Sequence, residues 1–247
     1  MGAATGAPRK PVLDRETAMR LAATEYGRFH QLLAELTPEE WALPTNCPGW
    51  DVRAMAAHLL GMADMAASPW EGRRQVKAAT KRKGVFIDEL TALQVEERAE
   101  LDPVHIVAQY ERAGPRAVKG RRRTPALIRR RTLPAAQTDG LEPWTMGYLV
   151  DCILTRDPWM HRMDIAAVIG RDPILTADHD GVLVDDVARE WGSRHGQPCT
   201  LTLTGPAGGT WTFGSGGPEL EFDAVEFCRQ VGGRGDPGGV LATLVPF

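Results

Sequence analysis

From Asp14 to Gly170 the apolar residues of this chain return every three or four positions, and beyond Arg171-Asp172-Pro173 that period is interrupted by strand-like alternation. That change of period constrains the fold more than any other feature. An apolar stripe repeating every 3.6 residues must be buried against other helices. The runs TLTLTG and TWTFG farther on alternate as half-buried strands do. The pattern predicts helices over Asp14 to Leu36, about Asp51 to Ala67, Val85 to Glu97, Pro103 to Val118 and Thr145 to Ile169, with Gly170 as a stop. LPTNCPGW is a loop between the first two, and an arginine-rich loop precedes the last. Past Pro173 it predicts a helix over Asp180 to His195, the two strand runs, a short helix over Asp223 to Val231 and a last strand over Val240 to Val245. The expectation is an α+β chain: a helical bundle over residues 1 to 172, then a small α/β domain over 173 to 247.

Composition excludes several classes. No apolar run approaches the roughly 20 residues a bilayer-spanning helix needs, and MGAATGAPRKPVLDRE has no apolar stretch like that of a secretory signal, so it reads as a flexible leader. Cys47, Cys152, Cys199 and Cys228 form no CxxC pair, which excludes a zinc ribbon or a thioredoxin-like motif. Reduced, mostly buried thiols in the cytoplasm are expected. The net charge of −3 conceals a basic stretch: residues 70 to 131 hold 16 Lys and Arg against 8 Asp and Glu. Without interleaved aromatics, runs such as Arg121-Arg122-Arg123 read as a solvated basic surface, and neither nucleic acid nor membrane is expected as a partner.

The chemistry concentrates in LTRDPWMHRMD, residues 154 to 164. Asp157 and His161 are four apart, so on a helix both project from one face. His58 lies in another apolar-periodic run, RAMAAHLLGMA. Two ligands from one helix and one from a neighbour make a three-point metal site with an open position. Each residue has a plainer reading. A buried histidine is more often satisfied by a hydrogen bond than by a metal, and Asp157-Pro158 is a natural cap and first-turn pair. Against the latter, Tyr148, Leu149, Ile153 and Leu154 keep helical period upstream, which predicts one helix bent or bulged near Pro158. Asp164 is placed to orient His161 or to pair with Arg162 or Arg53; His30 is a surface histidine or an extra ligand. Trp50 and Trp159 read as packing.

PTNCPGWDVRAMAAHLLG and TRDPWMHRMDIAAVIGR, followed by DAVEFCRQVGGR and GVLATLVPF, resemble the mycothiol-dependent maleylpyruvate isomerase family, within the DinB-like four-helix bundles. The resemblance spans nearly the whole chain. It implies an N-terminal DinB-like bundle with a small α/β C-terminal domain, and a divalent metal, usually zinc, held by His58, Asp157 and His161. Aspartate stands where the family has its archetypal glutamate. It also implies an arginine from the C-terminal domain near the site, best matched by Arg234, then Arg229. The implied activity uses mycothiol as cosubstrate: its thiolate adds to a small electrophile such as maleylpyruvate, and the adduct either isomerises and releases the thiol or departs as in an S-transferase. Partners are then a small thiol and an electrophile, with the chain a monomer or homodimer. A ligand-binding or regulatory module with a vestigial metal site is the alternative.

Overall fold

Asp14 starts the first helix by accepting hydrogen bonds from the backbone N–H groups of Glu16 and Thr17, two donors a helix start otherwise leaves unsatisfied. The computed structural model describes residues 7–138 and 142–247. It divides into two units, one ending at Gly170 and the other Arg171–Phe247. In the first, α1 (Arg15–Ala34) leads through a turn in which Thr37 and Glu40 cap one another reciprocally. After a loop come α2 (Val52–Ala67), α3 (Pro69–Ala79), α4 (Phe86–Glu96), α5 (Pro103–Arg123) and the single turn α6 (Ala126–Arg129). Strands β1 (Thr132–Leu133) and β2 (Trp144–Thr145) pair antiparallel. A short α7 (Met146–Tyr148) and a π-helical turn (Leu149–Ile153) then run into α8 (Leu154–Ile169). Gly170, at φ 67°, ends α8 where the sequence predicts a stop.

The four long helices α1, α2, α5 and α8 form the bundle. Phe29 and Leu33 of α1, Met55 and Leu59 of α2, Tyr110 and Ala113 of α5 and Ile165 of α8 share one buried cluster. Helices α2 and α5 approach closely because Gly120 has no side chain; a Cβ there would lie 2.1 Å from the Ala66 carbonyl oxygen. A buried bidentate pair, Arg162 to Glu25 (2.6 and 3.1 Å), ties α8 to α1.

In the second unit a π-helical turn (Ala177–Gly181) precedes α9 (Val182–His195). A three-stranded sheet follows, ordered β4-β3-β5, with β3 (Cys199–Thr204) antiparallel to β4 (Gly209–Phe213) and parallel to β5 (Glu219–Asp223). Cys199, Leu201 and Leu203 alternate into the core with Trp191 of α9 and Phe227 of α10 (Ala224–Val231).

Several sequence expectations are corrected. Helix α3 has no counterpart in the sequence pattern, because only Gln75 and Ala79 of its residues are buried and it carries no apolar stripe. Helix α5 continues past Val118 to Arg123, and β5 is an additional strand. Residues 240 to 245 form no strand: they begin in a 3-10 turn (Gly239–Ala242), and the Val245 N–H donates to the Val231 carbonyl at the end of α10. The leader is tied down from Arg9, which exchanges backbone bonds with Pro143 and Thr145 and pairs with Glu142; its first six residues lie outside the described ones. Among the described residues no disulfide links the cysteines, and no helix is long and apolar enough to cross a membrane.

Candidate metal centre

Helix α2 carries His58 on its buried face, and α8 carries Asp157 and His161 one turn apart. The two helices bring the three together. Asp157 Oδ2 lies 3.3 Å from His58 Nε2, and Oδ1 lies 3.3 Å from His161 Nε2. The imidazole rings meet edge to face, centroids 5.6 Å apart. One donor atom from each residue falls within 4.8 Å of the others.

The other ring nitrogens are engaged elsewhere. His58 Nδ1 faces Gln94 Oε1 at 2.8 Å. His161 Nδ1 faces Asp164 Oδ2 at 3.3 Å, and Asn46 Nδ2 donates to Asp164 Oδ1. Metal-binding histidines are held this way, with one ring N–H given to an oxygen and the opposite lone pair left for the cation. Both Nε2 lone pairs then face a carboxylate, an arrangement that repels unless positive charge sits among the three. Asp157 Oδ2 is buried with no hydrogen-bond partner among the described residues. Two imidazole nitrogens and a carboxylate oxygen are a donor set suited to zinc with an open position, so the residues fit the group. In the metal-free chain, burial pushes Asp157 up, but the electrostatic pull of His58 and the close approach of both imidazoles outweigh it and hold the carboxyl far below the ordinary range. Burial pulls His161 down, and its bonds to Asp157 and Asp164 outweigh that, so its imidazole is raised. Both directions describe a pocket that favours positive charge where the side chains meet.

Asp157 caps no new helix, since α8 starts at Leu154 and runs through Pro158. Pro158 has no N–H to give the Leu154 carbonyl, and the turn over Leu149–Ile153 upstream is π-helical rather than α-helical. The predicted irregularity is therefore this turn, together with a ψ of 2° at Leu154. Buried Arg121 of α5 donates along this stretch: Nη1 to Leu154 O (2.9 Å), where Pro158 has no N–H to offer, Nε to Val150 O (2.8 Å) and Nη2 to the Thr155 hydroxyl. The loop before α2 closes on itself through Thr45 N to Trp50 O (2.9 Å) and Trp50 N to Cys47 O (3.0 Å). Its Trp50 ring lies 5.2 Å from His58 and 6.4 Å from His161, so this tryptophan walls the centre as well as packing.

Gln94 and Asn46 do not stand out in the sequence. For Gln94 a signal exists: it shares the buried face of α4 with Leu90 and Leu93, a polar side chain on an apolar stripe. Gly61 of α2 makes room for it, because a Cβ there would fall 2.6 Å from Gln94 Cγ and 2.7 Å from its Cβ. Gly61→Ala should therefore destabilise the chain by about 1–3 kcal/mol through overpacking, although alanine alone favours a helix over glycine by about 1 kcal/mol. Chemical denaturation reads the sign, and a gain in stability would show that α4 yields without cost.

Arg234 and Arg229 belong to the second unit, where Arg234 Nη1 donates to Gly232 O and its backbone N–H to Arg229 O. His30 lines a cleft of about 420 Å³ with Tyr26, Tyr110 and Glu111. Arg53 bonds the Ala99 carbonyl. Half-buried Cys47 groups with His161 and Asp164 and falls outside the triad.

Residues 22–166, more than half of the chain, match the family described as mycothiol maleylpyruvate isomerase N-terminal domain. Uncharacterized proteins from two Mycobacterium tuberculosis strains, CDC 1551 / Oshkosh and H37Rv, are each 24% identical over 225 residues, spanning 81% of this chain and 78% of theirs. The fold is similar to the crystal structure of the mycothiol-dependent maleylpyruvate isomerase, with a TM-score of 0.59, 18% identity and 92% of both chains covered. A histidine-to-alanine mutant of that isomerase matches with a TM-score of 0.58, 17% identity and 90% of both chains. With the matching bundle and the matching family segment in one chain, this protein belongs to the mycothiol maleylpyruvate isomerase N-terminal domain family.

Proposed function

We propose that this chain is a metal-dependent enzyme that activates a low-molecular-weight thiol, mycothiol, for isomerisation of, or transfer to, a small electrophile such as maleylpyruvate, with zinc as the metal. The observation that supports this most is the meeting of His58 Nε2, His161 Nε2 and the Asp157 carboxylate while both Nδ1 atoms are engaged elsewhere. A divalent cation held by these three would favour the thiolate of an entering thiol, whose free form titrates near about pH 8.5. Gln94 and Asp164 keep the two imidazoles aimed. Asp157 brings one negative charge, so the set with a divalent cation stays net positive and attracts a thiolate. Trp50 covers one side of the rings. Arg234 is the residue we assign to a substrate carboxylate or a developing enolate. The family match and the isomerase fold support mycothiol as the thiol.

The test is protein purified without chelator, assayed for bound metal and for maleylpyruvate turnover with and without mycothiol. We expect stoichiometric metal, and activity that needs both metal and thiol. Full turnover after chelation, or without any thiol, overturns the reading. Tight metal without thiol-dependent turnover of any electrophile would instead make the chain a non-catalytic module.

A further inference from the structure

Beyond His58 a buried chain of amides runs outward from α2 to the surface of α3. Gln94 Oε1 faces His58 Nδ1 at 2.8 Å, and Gln94 Nε2 donates to Gln75 Oε1 at 2.8 Å and to Met62 Sδ at 3.1 Å. Gln75 Nε2 donates to the Gly61 carbonyl at 3.1 Å and to Glu71 Oε1 at 2.9 Å. Both glutamines are fully buried. An amide has one accepting and one donating end, so the chain has a direction, and its far end sets it. The Gly61 carbonyl can only accept. Glu71 is ionised and likewise only accepts: hydrogen bonds from Arg74 hold its carboxyl down to about 2 against partial burial. Turning the Gln75 amide over would place its oxygen against both acceptors. Gln75 must therefore offer its oxygen to Gln94, Gln94 must offer its own to His58, and His58 must carry its proton on Nδ1.

We propose that Gln75 and Gln94 are positioning residues: a one-way amide relay, anchored by Glu71 and the Gly61 carbonyl, that holds His58 in its Nδ1–H tautomer with the Nε2 lone pair on the candidate metal centre. The proposal rests on the metal-centre reading for its purpose but not for its geometry. Gln75 acts on His58 only through Gln94, from the next position along the chain. No charge needs to be buried beside His58, so the donor set keeps the single negative charge of Asp157.

The experiment uses the full chain and three variants, Gln94→Leu, Gln94→Glu and Gln75→Leu, with two readouts. The first is ¹⁵N-histidine NMR of metal-free protein at a pH where the imidazoles are neutral; the second is zinc affinity by chelator competition. Wild type should show His58 as the Nδ1–H tautomer. Gln94→Leu removes the acceptor, so His58 should become a tautomer mixture and zinc should bind about 10–100-fold more weakly. Gln75→Leu should also mix the tautomers, with a smaller loss of affinity. Gln94→Glu keeps an acceptor, so it should keep the tautomer and affinity nearer wild type while losing thermal stability, because it buries a charge. That split separates positioning from structure, since a merely structural role would make the buried glutamate worse than leucine on every readout. An Nε2–H tautomer in wild type, or Gln94→Glu and Gln94→Leu losing zinc equally, overturns the relay. If wild type takes up no zinc while the tautomer pattern holds, the metal-centre reading falls and the relay stands.

Discussion

His58→Ala is expected to leave the chain folded and without its stoichiometric divalent metal. The substitution removes the one donor that comes from α2. Asp157 and His161 remain, both from α8, and a two-point set on one helix does not enclose a cation. The loss should exceed the roughly 10–100-fold that follows removal of an outer partner. His161→Ala should behave alike, because it also leaves Asp157 with a single imidazole. Two measurements read the effect. Metal content after dialysis should fall from stoichiometric to background. Zinc at a hundredfold excess over its Kd should stabilise wild type by about 2.7 kcal/mol, a rise of roughly 5–10 °C in Tm for a chain of this size, and should leave both variants unmoved. Thiol-dependent turnover should vanish with the metal. If either variant retains a full complement of metal and full thiol-dependent activity, the centre lies elsewhere.

Arg121→Met should strongly destabilise the bundle. Arg121 is fully buried, and its guanidinium serves the start of α8 and its preceding turn, where Pro158 leaves the Leu154 carbonyl without its helical donor. Methionine retains much of the volume and removes the penalty of burying a charge, which tempers the cost. It gives nothing to Val150 O, Leu154 O or the Thr155 hydroxyl. Each buried acceptor left unsatisfied costs about 1–3 kcal/mol, so a net loss of about 3–5 kcal/mol is expected, or roughly 6–20 °C in Tm. Because these carbonyls lie just before Asp157, metal affinity should weaken as well. Calorimetry and metal titration together check this. A change below about 0.5 kcal/mol, the range of an ordinary surface substitution, would mean that other donors serve these carbonyls.

Helical period was legible wherever a helix buries a broad apolar face, as α1, α2 and α8 do. It failed for α3, whose PWEGRRQVKAA exposes most of its length and buries a glutamine rather than an apolar stripe. It misled at Val240 to Val245, where a short apolar run carries no period that separates a strand from a packed tail. The strand ELEFD does alternate, but five residues between turns are a weak signal beside a helix start.

The sequence by itself determined the local half of the candidate centre. Asp157 and His161 share a face because four residues make about one helical turn, and His58 belongs to the buried stripe of its own helix. Whether these two helices would face each other was decided only by tertiary packing: Glu25 clamping Arg162, Gly120 letting α2 and α5 close, and Arg121 bridging the break before Asp157. The partners of the imidazoles lie 36 residues from His58 in one case and 3 from His161 in the other. The near one could be read from spacing. The far one depends on where α4 docks, and a helix's docking position follows from the summed shape of its neighbours, which no local pattern encodes.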